Sequence, residues 1–431
     1  MPDMEIRIWE FLKEKMNCYG RKTALVCGNE SVSYCELVRL VEEKRESARG
    51  FAVIDEENVL AQAVSLLAHL YRGDIVIPLH RAYGENYCER IREEIKKYRA
   101  EDLPEDIALI MFTSGSTANP KGVMLTHRNI VSNIRAIDDY FKVGASDKIL
   151  IARPLMHSAV LTGELFVSLY KGMEIHLFSE SFMPSRVAGY IKSCKISVFG
   201  CTPTMLRLLV PLIKERPPAH LIVSGEVLAS EVAASAAAAL PFTKIYSVYG
   251  LTEASPRVAA LEPEIFRKKP GSIGRAIQNV EMRIGNGTEN EGRLYIRSPG
   301  IMRGYLGNEA LTRQKIKDGW LDTGDVAKLD DEGYYYILGR ADHMIIRGGV
   351  NIYPEEMEAL LKRDPRVVGA LFYAKEHKIL GKILCVELAG KLTKSEAFAL
   401  CRRTLPTYAQ PQRIDVSDNL LSTPSGKIKR K

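Results

Sequence analysis

Hydrophobic spacing changes period several times along this chain, and each change predicts an element. Residues 6–16 repeat their apolar positions at helical spacing, which predicts an amphipathic helix. Residues 23–34 read as a hairpin that turns at Gly28-Asn29. Residues 107–112 form an uninterrupted apolar, β-prone run, which predicts a buried strand. Residues 221–224 and 244–249 are short strand-like runs ending in glycine-containing loops, and the alanine-rich stretch 229–240 predicts a helix. This alternation, from about residue 6 to about 240, predicts layered α/β structure. After residue 270 the pattern turns to hairpins, at Asn286-Gly287 and at Asp331-Glu332-Gly333. From about residue 342 a compact α+β pattern follows, with a helix over 354–363 and strands near 367–373 and 383–388. A boundary is expected at Gly339-Arg340-Ala341-Asp342, separating residues 1–341 from 342–431.

A chain of 431 residues exceeds one ordinary core, so two or three domains are expected. An apolar fraction of 46% and a charged fraction of 26% fit a soluble globular protein. The net charge of +7 favours anionic ligands weakly, and no dense Lys/Arg tract with interleaved aromatics marks a nucleic-acid surface. The cysteines (Cys18, Cys27, Cys35, Cys88, Cys194, Cys201, Cys385 and Cys401) include no Cys-x-x-Cys pair. That argues against zinc and leaves a disulfide framework unsupported. Scattered cysteines and an acidic N-terminus without a signal-peptide pattern fit a reducing cytoplasm. No apolar run approaches the length of a membrane span.

The densest chemistry lies in residues 113–122, Thr-Ser-Gly-Ser-Thr-Ala-Asn-Pro-Lys-Gly. Thr113, Ser114, Ser116 and Thr117, with two glycines, crowd around Lys121 directly after the predicted strand. A strand opening into such a loop can wrap phosphate oxygens with backbone N–H groups, hydroxyls and an ammonium. The spacing is not that of a Walker loop, because Pro120 stands where that motif has its second glycine. A plain flexible linker fits poorly, since Pro-Lys-Gly is not linker composition.

Further segments join this loop in order. Ser224-Gly225-Glu226 ends a predicted strand, and Tyr249-Gly250-Leu251-Thr252-Glu253 follows another. Trp320-Leu321-Asp322-Thr323-Gly324-Asp325 ends in a carboxylate. Gly339-Arg340-Ala341-Asp342 lies at the expected boundary, and Thr423-Pro424-Ser425-Gly426-Lys427 lies near the C-terminus. Together these resemble the adenylate-forming superfamily: acyl- and aryl-CoA synthetases, nonribosomal peptide adenylation domains and firefly luciferase. The resemblance runs from about residue 23 to 427. It implies an α/β fold class, with a large N-terminal layered α/β domain carrying a distorted β-barrel portion and a small, mobile α+β C-terminal domain. It implies ATP and Mg²⁺ as cofactors and two half-reactions. A small carboxylic acid attacks the α-phosphate of ATP to give an acyl-AMP and pyrophosphate, and a thiol then displaces AMP.

Residue by residue, the resemblance assigns Thr113, Ser114, Ser116, Thr117 and Lys121 to the β- and γ-phosphates. Tyr249 would stack on adenine, with Gly225 and Glu226 lining the slot, and Glu226 contributing shape rather than catalysis. Thr252 would bond the α-phosphate and Glu253 would hold the metal. Asp325 would accept the two ribose hydroxyls, with Arg340 beside it. Asp342 matches the hinge of the small domain, Lys427 the lysine that bridges carboxylate and α-phosphate, and Gly349 a lining residue of the thiol tunnel. His157, Ser158 and Gly250 would border the acid pocket. Each has a plainer alternative. Asp325 could cap a turn, Lys427 could be a solvated tail lysine, and Tyr249 and His157 could belong to the core.

The sequence departs from the family pattern in places. Ala118 stands where the phosphate loop usually has glycine, and the stretch from about residue 35 to 105 is short. Ser158 stands where amino-acid-activating members carry an aspartate, so an α-amino acid would leave its charge unpaired. Gly348-Gly349-Val350-Asn351-Ile352-Tyr353-Pro354 is closer to acyl-CoA synthetases, which favours CoA as the acceptor. The alternative is a stand-alone adenylation enzyme loading a carrier-protein phosphopantetheine. A non-catalytic nucleotide-binding protein is a third reading, opposed by the joint presence of Lys121, Thr252, Glu253, Asp325, Arg340 and Lys427.

Overall fold

The structure, a computed structural model, describes residues 6–43, 49–80, 85–113, 120–285, 288, 290–347, 350–377 and 381–420. Packing divides the chain into two compact units: Met1–Met282 with Ile296–Leu321, and Arg283–Tyr295 with Asp322–Lys431. The second unit therefore takes in Asp325 and Arg340 as well as the residues beyond Asp342. The boundary at 341/342 concerns where a small domain would pivot, and it stays a proposal.

The first unit is built on two sheets. Its strands in chain order are β1 (Thr23–Cys27), β2 (Glu30–Ser33), β3 (Phe51–Ile54), β4 (Ile75–Pro78), β5 (Ile107–Thr113), β6 (Lys121–Thr126), β7 (Lys148–Ile151), β8 (Glu174–Leu177), β9 (Val198–Cys201), β10 (His220–Val223), β11 (Lys244–Gly250), β12 (Arg257–Leu261) and β13 (Arg275–Ala276). The larger sheet runs β13-β12-β11-β10-β9-β7-β8-β1-β2. From β11 to β1 the strands are parallel, and β2, β12 and β13 are antiparallel additions. Helices Pro184–Ser193, Pro203–Ile213 and Ser230–Ala239 connect β8 to β9, β9 to β10 and β10 to β11. β9 and β10 are buried along their whole length, which is why they read as continuous apolar runs rather than alternating ones.

The chain reverses its direction of travel across this sheet between β7 and β9. β7 leads to β8 on one side, whereas β9 leads to β10 and β11 on the other. Open parallel sheets bind ligands outside the carboxyl ends of their strands at such a switch point.

The smaller sheet runs from Gly304–Tyr305 through β6, β5 and β4 to β3. The strand expected at 107–112 is β5, buried up to its last residue, and it forms an antiparallel hairpin with β6. Helix Ile8–Met16 buries Ile8, Trp9, Phe11, Leu12 and Met16, as its spacing predicted. Thr126 and Asn129 close a reciprocal capping box at the start of helix His127–Tyr140.

In the second unit, residues from Asp325 to Leu329 pair antiparallel with strand Tyr335–Arg340. The turn between them is organised by Asp330 Oδ1, which accepts from the N–H groups of Glu332 and Tyr334. Strands Val367–His377 and Gly381–Gly390 form an antiparallel pair, and Arg413–Ser417 adds in parallel. Met357, Leu361, Phe372, Val386 and Leu400 fill the core between this sheet and helices Pro354–Leu361 and Lys394–Thr404. The expected distorted barrel is not found: among the described residues no sheet closes on itself. Closure requires the first and last strands of a sheet to pair with each other, and no such pairing occurs among the described residues.

Candidate functional site

In the first unit, Thr113 and Lys121 are register partners at the turn end of the β5–β6 hairpin. They bracket the hydroxyl-rich loop, whose Ser114, Ser116 and Thr117 lie outside the described residues. On its other side β6 pairs with Gly304–Tyr305, where Tyr305 faces Val123. The Tyr305 hydroxyl donates to Glu253 Oε1 at 2.9 Å. The Met302 N–H donates to the Glu253 carbonyl at 2.8 Å. These bonds tie the hairpin that carries Lys121 to the Thr252–Ala254 turn.

β11 ends in Tyr249-Gly250, and a Cβ at Gly250 would overlap the Pro256 carbonyl, so only glycine fits that close approach. Thr252 Oγ1 lies 3.2 Å from Ser158 Oγ. Ser158 is buried and opens a helical run that continues through Leu161–Phe166, wound as a π-helix, to Val167–Lys171. His157, half-buried, caps that run, and its carbonyl accepts from Val160 and Leu161 N–H. His157, Ser158, Thr252 and Glu253 therefore gather in one patch.

Beside β11, the end of β10 turns through Gly225, whose φ of +91° is in the left-handed region. Glu226 is exposed, and its Oε2 accepts from the Thr204 hydroxyl at 2.8 Å and the Thr204 N–H at 3.4 Å. Glu226 thus braces the turn after β10 against the helix after β9, which is a shaping role. The carboxyl ends of β7, β9, β10 and β11 all contribute residues to this face of the sheet.

In the second unit, Arg340 Nη1 donates to Asp325 Oδ1 at 3.2 Å and to the Thr323 carbonyl at 3.0 Å, and Nε donates to Asp342 Oδ1 at 3.2 Å. Asp325 and Arg340 face each other in the strand register. Burial works against the Arg340 charge, but Asp325 and Asp342 outweigh it and raise the guanidinium pKa. Burial likewise pushes the Asp342 carboxyl up, and Arg340 together with His343 more than reverses this, leaving it below its ordinary value. Asp325, Arg340 and Asp342 thus form one ionic cluster: Arg340 lies beside Asp325, as the resemblance implied, and Asp342 joins them. Gly349 and Lys427 lie outside the described residues.

Tyr305, Thr204 and the buried pair Arg153–Glu164 are structural partners that the sequence reading missed. Gly304-Tyr305 carries no periodic or compositional signal, and Arg153 and Glu164 are eleven residues apart, too far for a local pattern.

The hairpin that carries Lys121 is tied to the Glu253 turn, which follows β11 at the carboxyl end of an open parallel sheet, the edge at which enzymes of this layered α/β class bind their ligands. The family model described as AMP-binding enzyme matches residues 50–306, and the chain belongs to that family. The 2-succinylbenzoate–CoA ligase of Bacillus licheniformis is 33% identical over 338 residues, covering 76% of this chain and 69% of the relative. That of Bacillus pumilus is 29% identical, covering 96% of this chain and 85% of the relative. Among solved structures, the o-succinylbenzoate coenzyme A synthetase of Bacillus subtilis in complex with ATP and magnesium ion superposes with a TM-score of 0.86 at 24% identity. That match covers 97% of this chain and 98% of the solved one.

Proposed function

We propose that this protein is an ATP-dependent carboxylic acid–CoA ligase that activates a small aryl or aliphatic acid as its acyl-AMP and transfers it to CoA. The observation that carries the reading is the hydrogen-bonded linkage of the hairpin bearing Thr113 and Lys121 to Glu253 through Tyr305, and of the neighbouring Thr252 to Ser158. Membership of the AMP-binding family supports it, as do the CoA-ligase activities of the relatives.

Thr113, Ser114, Ser116, Thr117 and Lys121 would hold the terminal phosphates, and Tyr249 with Gly225 and Glu226 the adenine. Thr252 would bond the α-phosphate, and Asp325, steadied by Arg340, would accept the ribose hydroxyls. The site fits Mg²⁺. Glu253 offers one carboxylate fixed by a neighbouring hydroxyl, and this ion is commonly held by one or two carboxylates plus substrate phosphates. Bound there, the ion would offset negative charge developing on the phosphates.

Carboxylate and phosphate repel as they approach, and Lys427 between them would lower that cost where charge develops. Turning about Asp342, the small domain of residues 342–431 would withdraw Lys427 and present Gly349 beside the thiol. That the named relatives are CoA ligases favours CoA over a carrier-protein arm. Among the described residues no helix is long and apolar enough to cross a membrane.

The test is ATP–pyrophosphate exchange with a panel of aryl, aliphatic and amino acids, followed by thioester formation with CoA and with a carrier protein. Acid-dependent exchange with CoA thioester as product is the expected result. Exchange that no acid stimulates would overturn the reading.

A further inference from the structure

The switch point of the larger sheet is closed by a charged pair that the chemistry above does not use. Arg153 follows β7 and Glu164 lies in the π-helical turn Leu161–Phe166, and their side chains form an ion pair. Glu164 is fully buried and the Arg153 side chain is 9% exposed. Arg153 Nη1 also donates to Ser224 Oγ at 3.3 Å, beside Gly225. The Glu164 carboxyl presses on Gly200 in β9, where a Cβ would overlap it. The pair therefore spans from the end of β7 across β9 to the end of β10. It sits between Ser158, on the same helical run as Glu164, and the Ser224-Gly225-Glu226 turn.

This arrangement is poor for stability alone. Arg153 Nε, Glu164 Oε2 and the nearby Thr162 Oγ1 are buried and find no hydrogen-bond partner among the described residues. A wall of aliphatic side chains would close the same space without stranding polar atoms, and buried ion pairs are weak stabilisers against such replacements. The π-helical winding aims Glu164 inward, and such local distortions cluster at functional positions. Arg257, also buried, packs its guanidinium on Gly163 from the other side, which holds this turn against the sheet.

We infer that the Arg153–Glu164 pair is the floor of the acid pocket and sets its depth, so that compact acids are accepted and long-chain acids excluded. The inference rests on the ligase reading above and assigns a specificity role to residues to which that reading gives none. Gly200 is part of the device, because a larger residue there would expel the Glu164 carboxyl.

The experiment compares kcat/KM for butanoate and decanoate in ATP–pyrophosphate exchange. The wild type should prefer the short acid. Glu164→Ala, which removes the floor, should shift the ratio towards decanoate by about tenfold or more, the scale on which hydrophobic pockets discriminate added methylenes. Glu164→Asp, which keeps the charge but retracts it, should shift the ratio in the same direction by less and guards against a misfolded alanine variant. The double variant Arg153→Leu with Glu164→Leu refills the space without charge and should keep the wild-type ratio. A ratio unmoved in both single variants would overturn the floor. So would a wild type that uses decanoate as well as butanoate, or a double variant that shifts as far as Glu164→Ala. A wild type that exchanges with no acid would defeat the ligase reading itself, and the floor with it.

Discussion

The Tyr305 hydroxyl donates to Glu253 Oε1 at 2.9 Å, joining two positions 52 residues apart. Tyr305 reaches it from a two-residue strand paired to β6, the strand that begins with Lys121. One hydrogen bond therefore couples the orientation of the carboxylate proposed to hold the metal to the hairpin proposed to hold the phosphates.

Tyr305→Phe removes that bond and leaves the ring in place. Partners that orient metal ligands typically contribute about 10–100-fold in metal affinity or activity. The half-saturating Mg²⁺ concentration for pyrophosphate exchange should rise by that order, with the unfolding midpoint little changed. An unaltered Mg²⁺ dependence would show that Glu253 needs no such support.

Asp325 should accept both ribose hydroxyls, each charge-assisted bond contributing about 1.5–3 kcal/mol. Asp325→Ala should weaken ATP and acyl-AMP alike. Because that change also strips a partner from Arg340, the cleaner readout uses the wild type. It should discriminate against 2′-deoxy-ATP, and equal use of the two nucleotides would refute the ribose role.

Lys427 and Gly349 should separate the half-reactions. Lys427→Ala should lose acyl-AMP formation by about 10²–10³, the usual loss when a charge aimed at a developing anion is removed. It should still convert supplied acyl-AMP to thioester at nearly the wild-type rate. Gly349→Leu should do the reverse by obstructing the pantetheine path. Single-turnover assays of each step decide this, and equal loss of both steps in both variants would mean that the C-terminal region is a fixed lid.

His127 supplies a pH dependence of stability unconnected with catalysis. Its Nδ1 accepts from the Ile8 N–H at 3.2 Å, and burial, with Arg7 and Arg49 nearby, lowers its pKa from 6.5 to about 4. The folded state thus resists protonation while the unfolded state does not. This contribution is whole above 6.5 and is lost as pH falls towards about 4. A difference of that size in proton affinity between the two states corresponds to a loss on the order of 3 kcal/mol. His127→Gln keeps an acceptor but does not titrate. Its denaturant midpoint should fall less than the wild type's over that window, and parallel curves would contradict the assignment.

Much of the fold was legible because local rules and tertiary packing agree. The run at 107–112 became β5, and the spacing at 6–16 became helix Ile8–Met16, because each buries the face its pattern marks. The glycines at 225 and 250 were legible as loop signals, and the structure supplies their separate reasons, a positive φ and a close carbonyl. The expected barrel was not found, because closure depends on strand lengths and stagger that no local pattern encodes.

By itself the sequence determined the kinds of group available: a hydroxyl-rich loop with Lys121, carboxylates at Glu253 and Asp325, and a hydroxyl at Ser158. These were readable because turn geometry and chemical type are written in a few adjacent residues. Only the tertiary structure decided who meets whom. Tyr305 reaches Glu253, Thr204 braces Glu226, and Arg153 finds Glu164 across the switch point. Those meetings depend on strand order and register, which bring together positions whose separation along the chain carries no information about their contact.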